Sequence, residues 1–251
     1  MPLTGNVAKV HVLAVMEKLF TSHYPLDVCD VGCVGLRPFD LWEPLFQIHS
    51  SRFHLSGLDL FGIERAAEVA RERGWSADLR TGDARAVEET FPDKRFDVVV
   101  STQVLEHVRA WDRSLESASR VLKPGGHILV TCDSGEARAT LSRRLRHSAR
   151  RRLGTIPSME HRWERAPRAE EIVNVARRLR LPIAEWGYYN LAPLKHIHNR
   201  ADRARRNGIM KRWYALERCL NSTGEARANP HQFLGLFFDF VSGEESYARQ
   251  S

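Results

Sequence analysis

Four short segments in the first 133 residues place glycines and carboxylates where a nucleotide-like cofactor needs them. Asp30-Val31-Gly32-Cys33-Val34-Gly35 closes an apolar run, and glycines there let the backbone approach a ligand closely. Asp59 ends a second run, 24 residues beyond Gly35, and its carboxylate can accept hydrogen bonds from both ribose hydroxyls. Gly82-Asp83-Ala84 follows a third run, and its aspartate can accept from an adenine amino group. Ser101-Thr102-Gln103 follows the fourth run, so the order of the segments predicts a cofactor site.

Each of these segments also has a structural interpretation. A glycine turn after a strand is common in proteins, and the spacing Asp-x-Gly-x-x-Gly is not specific on its own. Asp59 and Asp83 could instead cap the helices that follow them, since aspartate is a favoured N-cap residue.

Hydrophobic periodicity predicts the elements that position these residues. Runs rich in β-branched residues predict seven strands at 26–31, 54–60, 77–80, 96–101, 127–131, 183–189 and 232–241. Helical spacing predicts helices at 7–20, 38–48, 64–73, 111–121, 136–153, 170–180 and 199–220. Pro44 is expected to bend or interrupt the second helix, and Gly74 to stop the third. The tetrapeptide Lys123-Pro124-Gly125-Gly126 predicts a tight turn.

The alternation of strands and helices up to residue 133 predicts an α/β fold with a doubly wound, mostly parallel sheet. The last two predicted strands are expected to pair antiparallel at one edge, which gives a seven-stranded Rossmann-like sheet. Residues 1–133 are then the cofactor-binding core, and 183–189 with 232–241 complete its sheet. Residues 134–182 and 199–230 are expected to form helical inserts that cap the carboxyl ends of the strands, where open α/β sheets bind ligands.

The sequence strings themselves resemble a known family. VCDVGCVG, GLDL, TGDA, FPDKRFDVVVSTQVLEHV and VLKPGGHILV resemble segments of class I S-adenosylmethionine-dependent methyltransferases of the ubiquinone/menaquinone type, over residues 25–133. The resemblance implies a methyltransferase enzyme with S-adenosylmethionine as cofactor. It implies further that Asp30, Gly32 and Cys33 hold the methionine part of the cofactor and that Asp59 and Leu60 hold the ribose. By the same resemblance, Asp83 and Ala84 hold the adenine, and the methyl-donor side is lined by Ser101, Thr102 and Gln103.

The first glycine loop departs from the family pattern Asp-x-Gly-x-Gly-x-Gly. Val34 and Leu36 stand where the second and third glycines are expected, and Gly35 is shifted by one position. A non-catalytic, degenerate subunit of the same fold is therefore an alternative. A dehydrogenase is disfavoured because its Gly-x-Gly-x-x-Gly fingerprint is absent.

Four histidines are candidates for a general base in methyl transfer: His107, His161, His196 and His198. Glu106-His107 follows the fourth strand, near the expected methyl group, although this pair can also brace the sheet. His161 lies in Glu160-His161-Arg162-Trp163, and by resemblance such a string approaches the active site. A magnesium site at Gln103-x-x-Glu106-His107 is not expected. Gln103 stands where such a site would need a first acidic ligand, and magnesium prefers oxygen ligands, of which one carboxylate supplies too few.

Charge is unevenly distributed along the chain. Residues 1–133 contain 15 Lys and Arg against 19 Asp and Glu, whereas residues 134–251 contain 23 against 12, a net charge of +11. The basic segments 138–152 and 200–212 predict contact with an anionic acceptor, anionic lipid or nucleic acid. The alternatives are a solvated helix face and an arginine-rich composition without a function.

These features together favour methyl transfer to a small or medium polar acceptor, with the hydroxyl of a sugar, glycolipid or natural product preferred. An RNA-binding protein or RNA methyltransferase is the alternative from another class. The chain has 251 residues, 43% hydrophobic and 27% charged, and it contains no apolar run long enough to span a membrane. The N-terminus lacks a signal-like pattern, and four cysteines without CxxC spacing are too few for a disulfide scaffold, so a cytoplasmic location is expected.

Overall fold

A computed structural model of the chain describes residues 7–22, 25–35, 38–137 and 166–243. Seven strands form one sheet: β1 (Leu26–Val31), β2 (Phe53–Asp59), β3 (Ala77–Thr81), β4 (Phe96–Thr102), β5 (Leu122–Asp133), β6 (Ile183–Leu191) and β7 (Phe233–Val241). Their order across the sheet is β3-β2-β1-β4-β5-β7-β6. β1 to β5 are parallel, and β7 runs antiparallel to both of its neighbours, β5 and β6. The predicted seven-stranded α/β sheet with an antiparallel last strand is therefore confirmed.

Nine α-helices are described alongside the sheet: α1 (Val7–Ser22), α2 (Glu43–His49), α3 (Ile63–Glu72), α4 (Val87–Thr90), α5 (Trp111–Arg120), α6 (Ala169–Leu179), α7 (Ala192–Arg200), α8 (Arg203–Ser222) and α9 (Glu225–Ala228). Three short 3-10 turns accompany them at Ser50–Arg52, Leu105–His107 and Pro230–Gln232.

The apolar core has two layers, one on each face of the sheet. Val98 and Val100 of β4 pack with α1 and α2, whereas Val99 between them packs with α5 and α6. This alternation follows from the two-residue period of a strand. It explains why the run FDVVV is apolar throughout, since a central parallel strand is covered on both faces.

Two sequence predictions of helices were wrong in detail. Pro44 does not bend a helix over 38–48, because α2 begins only at Glu43 and Pro44 occupies its first turn, where a missing N–H costs nothing. The single helix expected at 199–220 is two helices. The first of them, α7, ends at Arg200, and Ala201 is extended. Asp202 then caps α8 by accepting a hydrogen bond from Arg205 N at 2.9 Å.

Helix α8 is attached to the sheet by a buried carboxylate. Glu217 accepts from Leu191 N at the end of β6 (2.7 Å) and from Trp213 Nε1 (2.6 Å), and His11 Nε2 of α1 lies 3.6 Å away. This part of the expected 199–230 insert therefore covers a face of the sheet beside α1.

The basic helix expected at 136–153 lies outside the described residues from position 138 onward. Within the described ranges, no helix is both long and apolar enough to cross a membrane.

Candidate functional site

All five parallel strands end at one edge of the sheet, and the predicted cofactor segments follow four of them. Gly32 N and Cys33 N both donate to Leu58 O, at 2.8 and 3.2 Å, so the loop after β1 folds toward the end of β2. Gly32 has a φ of +81°, and a Cβ there would collide with Val104 after β4. Glycine is thus required at position 32, and the loops after β1 and β4 are in direct contact.

Asp59 at the end of β2 is joined to this loop. Its carboxylate accepts from Val34 N at 3.1 Å and from Phe61 N at 3.5 Å. It does not cap α3, whose N-cap is Gly62 without a side-chain hydrogen bond, so the interpretation of Asp59 as a helix cap is wrong. Beside it Leu60 and Phe61 are half exposed, at 50% and 47%. Asp59 therefore faces the edge of the sheet with remaining acceptor capacity.

Asp30 at the end of β1 is buried and only half satisfied. Trp42 Nε1 donates to its Oδ2 at 2.6 Å, but its buried Oδ1 has no hydrogen-bond partner among the described residues. Burial raises the pKa of Asp30 to about 6, against an opposing effect of the Trp42 hydrogen bond. The sequence does not reveal Trp42, because no spacing rule connects it to a strand-end aspartate. A buried acceptor without a partner is rare in folded proteins, and this one lies at the end of β1.

The raised pKa of Asp30 predicts a pH-dependent stability. Between the ordinary value of 3.8 and the folded value of about 6, the folded chain holds more protons than the unfolded chain. The stability contributed by the protonated carboxyl is complete below pH 3.8 and is lost as pH rises through 6, by about 3 kcal/mol. We expect Asp30→Asn to remove this slope, which urea unfolding at about pH 4 and about pH 7 measures. Equal slopes in wild type and variant would contradict the assignment.

Asp83, after β3, is engaged by a neighbouring arginine. It accepts from Arg85 N at 2.8 Å and from the Arg85 guanidinium, whose hydrogen bonds lower the pKa of Asp83. It does not cap α4, whose N-cap is Ala86 without a side-chain hydrogen bond, so the cap interpretation is wrong here too. Gly82 N donates to Asp59 O at 3.0 Å, and Ala84 is buried. The loops after β2 and β3 are therefore adjacent.

The segment after β4 lies beside both β1 and β5. Ser101 pairs with Val31 in the sheet, and its buried Oγ has no hydrogen-bond partner within the described ranges. Gln103 has a φ of +59°, which is rare for a residue with a side chain, and its N donates to Thr131 O at 2.7 Å. Its side-chain Nε2 donates to Tyr189 Oη of β6 at 2.7 Å, a contact across the two intervening strands β5 and β7 that sequence spacing could not show.

The histidine candidates differ in position. His107 is exposed at the end of its 3-10 turn, His196 is exposed on α7, and His198 is buried against Trp213. His161 lies outside the described residues. Glu106, next to His107, is buried, and its Oε1 accepts from Asp133 N at 3.3 Å. Burial raises the pKa of Glu106 to about 8, with a further contribution from Asp133. This glutamate joins the ends of β4 and β5.

A metal centre and a second cavity are the alternatives to a site at the carboxyl edge. Within the described ranges, no group of three or more His, Cys, Asp or Glu side chains could hold a metal ion. A cavity of about 740 Å³ among these residues lies at the opposite edge, near the amino ends of β1 to β4. In its wall Lys94 is paired with Asp78. This cavity lies at the other end of the strands from the predicted cofactor segments.

Part of the chain is similar to known proteins. Residues 29–130 match the family model described as a methyltransferase domain. The ubiquinone biosynthesis O-methyltransferase of Brucella anthropi is 30% identical over 155 residues, which are 59% of this chain and 56% of that protein. The chain thus spans little more than half the length of this curated relative.

Solved structures share the fold. Phosphoethanolamine N-methyltransferase 2 of Haemonchus contortus, solved with S-adenosyl-L-methionine, matches with a TM-score of 0.59 at 17% identity, over 93% of this chain and 52% of that one. The [4+2]-cyclase SpnF matches with a TM-score of 0.57 at 19% identity, over 93% and 80%. At these identities the likeness shows the fold alone.

The fold and the family match agree with each other. Residues 29–130 are similar to a methyltransferase domain, and the sheet that contains them has the fold of solved methyltransferases.

Proposed function

We propose that the chain transfers the methyl group of S-adenosylmethionine to a hydroxyl oxygen of a small or medium polar acceptor. The observation that carries the proposal is Asp59: a carboxylate at the end of β2, bonded to the loop after β1 and not used as a helix cap. Two ribose hydroxyls can donate to such an acceptor without displacing a structural partner.

We place the remaining cofactor contacts at the strand ends. The side chains or backbone of twelve residues would hold the cofactor: Asp30, Gly32, Cys33, Gly35, Asp59, Leu60, Gly82, Asp83, Ala84, Ser101, Thr102 and Gln103. Asp30 is well suited to the methionine ammonium, since its Oδ1 is buried and has no partner within the described residues. A carboxylate in that position would form a charge-assisted hydrogen bond, which is stronger than a neutral one.

The demands on the protein in this chemistry are modest. When bound, S-adenosylmethionine supplies a methyl group that is already activated by the positive charge on sulfur. The protein must then hold the acceptor oxygen in line with that carbon and exclude water, which accounts for much of the acceleration in transfers of this kind. A hydroxyl acceptor benefits from a general base, and we assign His107 and His161 as the candidates.

Two observations support the choice of acceptor. The Brucella relative is named an O-methyltransferase, which favours oxygen over nitrogen. The net charge of +11 over residues 134–251 favours an acceptor that carries a negative charge. A hydroxyl on a sugar, a glycolipid or a natural product fits both observations.

A transfer assay with methyl-labelled S-adenosylmethionine tests this proposal. Panels of hydroxylated, anionic acceptors and of amine acceptors of matched size are incubated with the protein, and label in the product is counted. We expect labelled methyl ethers that survive mild base, with neutral analogues of the same acceptors reacting more slowly. Label confined to the amine panel would refute oxygen transfer, and failure to bind S-adenosylmethionine at all would refute the function.

A further inference from the structure

Tyr189 of β6 reaches across β7 toward the centre of the sheet. Tyr189 and Gly235 are paired residues in β6 and β7, and a Cβ on Gly235 would overlap the Tyr189 ring. The missing side chain of Gly235 therefore leaves the space through which the phenol crosses the strand. The Tyr189 ring is 1% exposed. Its hydroxyl lies 3.3 Å from Cys132 O of β5 and 2.7 Å from Gln103 Nε2 after β4.

This hydrogen bonding fixes the orientation of the Gln103 amide. Burial raises the pKa of Tyr189 well above its ordinary value, so the phenol keeps its proton. A carbonyl oxygen can only accept, so the Tyr189 hydroxyl donates to Cys132 O and its own oxygen accepts from Gln103. The Gln103 amide must then turn its NH2 toward Tyr189 and its Oε1 away. No side chain or backbone group of the described residues donates to that Oε1.

The backbone holds Gln103 at the same place. Its left-handed φ of +59° and the bond from its N to Thr131 O keep it beside the end of β5. The next residue, Val104, packs against Gly32 in the loop after β1. Gln103 thus stands at the carboxyl edge between the first loop and β5. Unfavourable backbone conformations of this kind persist where the surrounding structure fixes them.

We propose that Tyr189 is a positioning residue for methyl transfer. It holds the Gln103 amide oxygen toward the position of the sulfonium sulfur and its methyl group. The inference rests on the proposed function, in which Gln103 lines the methyl-donor side. A carbonyl oxygen there attracts the positively charged sulfonium of S-adenosylmethionine but has little effect on the neutral thioether of S-adenosylhomocysteine. The arrangement therefore selects the cofactor that still carries a methyl group.

Tyr189→Phe tests this inference, because it removes only the hydroxyl. Isothermal titration gives the dissociation constants for S-adenosylmethionine and S-adenosylhomocysteine separately. We expect the affinity for S-adenosylmethionine to fall about three- to tenfold, the size of one net hydrogen bond, with the affinity for S-adenosylhomocysteine within about twofold of wild type. Gln103→Leu should give the same loss of preference, and the double variant no further loss.

Tyr188→Phe is the matched control. Tyr188 is the neighbouring tyrosine on the opposite face of the sheet, and its hydroxyl lies 3.5 Å from Glu136. This variant should keep the wild-type ratio of the two affinities. The inference fails if Tyr189→Phe leaves that ratio unchanged, if it weakens both ligands equally, or if the control shows the same change. If Tyr189→Phe does not fold, an unchanged ratio in Gln103→Leu overturns the inference on its own. A wild-type chain that binds neither ligand refutes the proposed function instead.

Discussion

Asp59→Ala should weaken the binding of S-adenosylmethionine and S-adenosylhomocysteine by about ten- to a few-hundred-fold. Two ribose hydroxyls are expected to donate to one ionised carboxylate, and we take the loss of this shared acceptor as about 1.5–3 kcal/mol in total, the size of a hydrogen bond to a charged group. The carboxylate also accepts from Val34 N, so its loss loosens the loop after β1 at the same time. Both ligands contain the ribose, and both should therefore lose affinity to a similar degree.

Titration calorimetry and thermal unfolding of the same variant separate binding from folding. Asp59 is only partly buried and caps no helix, so we expect the melting temperature to change by only a few degrees. Asp112→Ala is the control, since it removes a carboxylate that pairs with Arg178 on the surface of α5 and α6. Unchanged affinity in Asp59→Ala would show that the cofactor crevice is assigned wrongly.

Gly32→Ala should destabilise the fold by about 2–5 kcal/mol and weaken cofactor binding at least about tenfold. Two destabilising effects, an unfavourable backbone conformation and a steric collision, add at this position. A side chain at a φ of +81° costs about 1–2 kcal/mol, and the new methyl group collides with Val104. Because Val104 follows Gln103, the collision displaces the loop after β4 together with the loop after β1.

Gly74→Ala isolates the backbone term of this prediction. Gly74 has a similar φ of +65° but open space where a Cβ would stand, so only the conformational cost applies. The Gly32→Ala, Val104→Ala double variant should recover part of the lost stability, because it removes the colliding methyl groups. Urea unfolding of the four proteins measures these differences. If Gly32→Ala costs no more than Gly74→Ala, the two loops do not pack as described.

The sequence predicts the strands well because each carries a strong local signal. The run at 96–101 is apolar enough for a strand covered on both faces, and β4 occupies Phe96–Thr102 at the centre of the sheet. Gly74 ends α3 with a left-handed φ, as a glycine after a helical pattern predicts. The order of glycines and carboxylates along the chain is also a local signal, and it predicts that the site lies at the carboxyl edge.

The contacts that complete the site are not local, and the sequence does not show them. Trp42 reaches Asp30 through a turn whose path depends on how α2 packs. Tyr189 meets Gln103 only because the register of β6 and β7 places Gly235 under its ring. Arg85 donates a hydrogen bond to the carboxylate of Asp83, two residues earlier, and the spacing alone does not specify the turn that allows it. Packing and strand register decide all three contacts.

A crystal structure of the complex with S-adenosylhomocysteine tests the central claim most directly. We expect the ligand at the carboxyl edge of the sheet, with both ribose hydroxyls within about 3.2 Å of the Asp59 carboxylate. The methionine ammonium should then lie against Asp30 Oδ1, the buried oxygen without a partner among the described residues. A ligand bound elsewhere, such as the cavity at the amino edge, or a ribose that does not contact Asp59, would contradict the account.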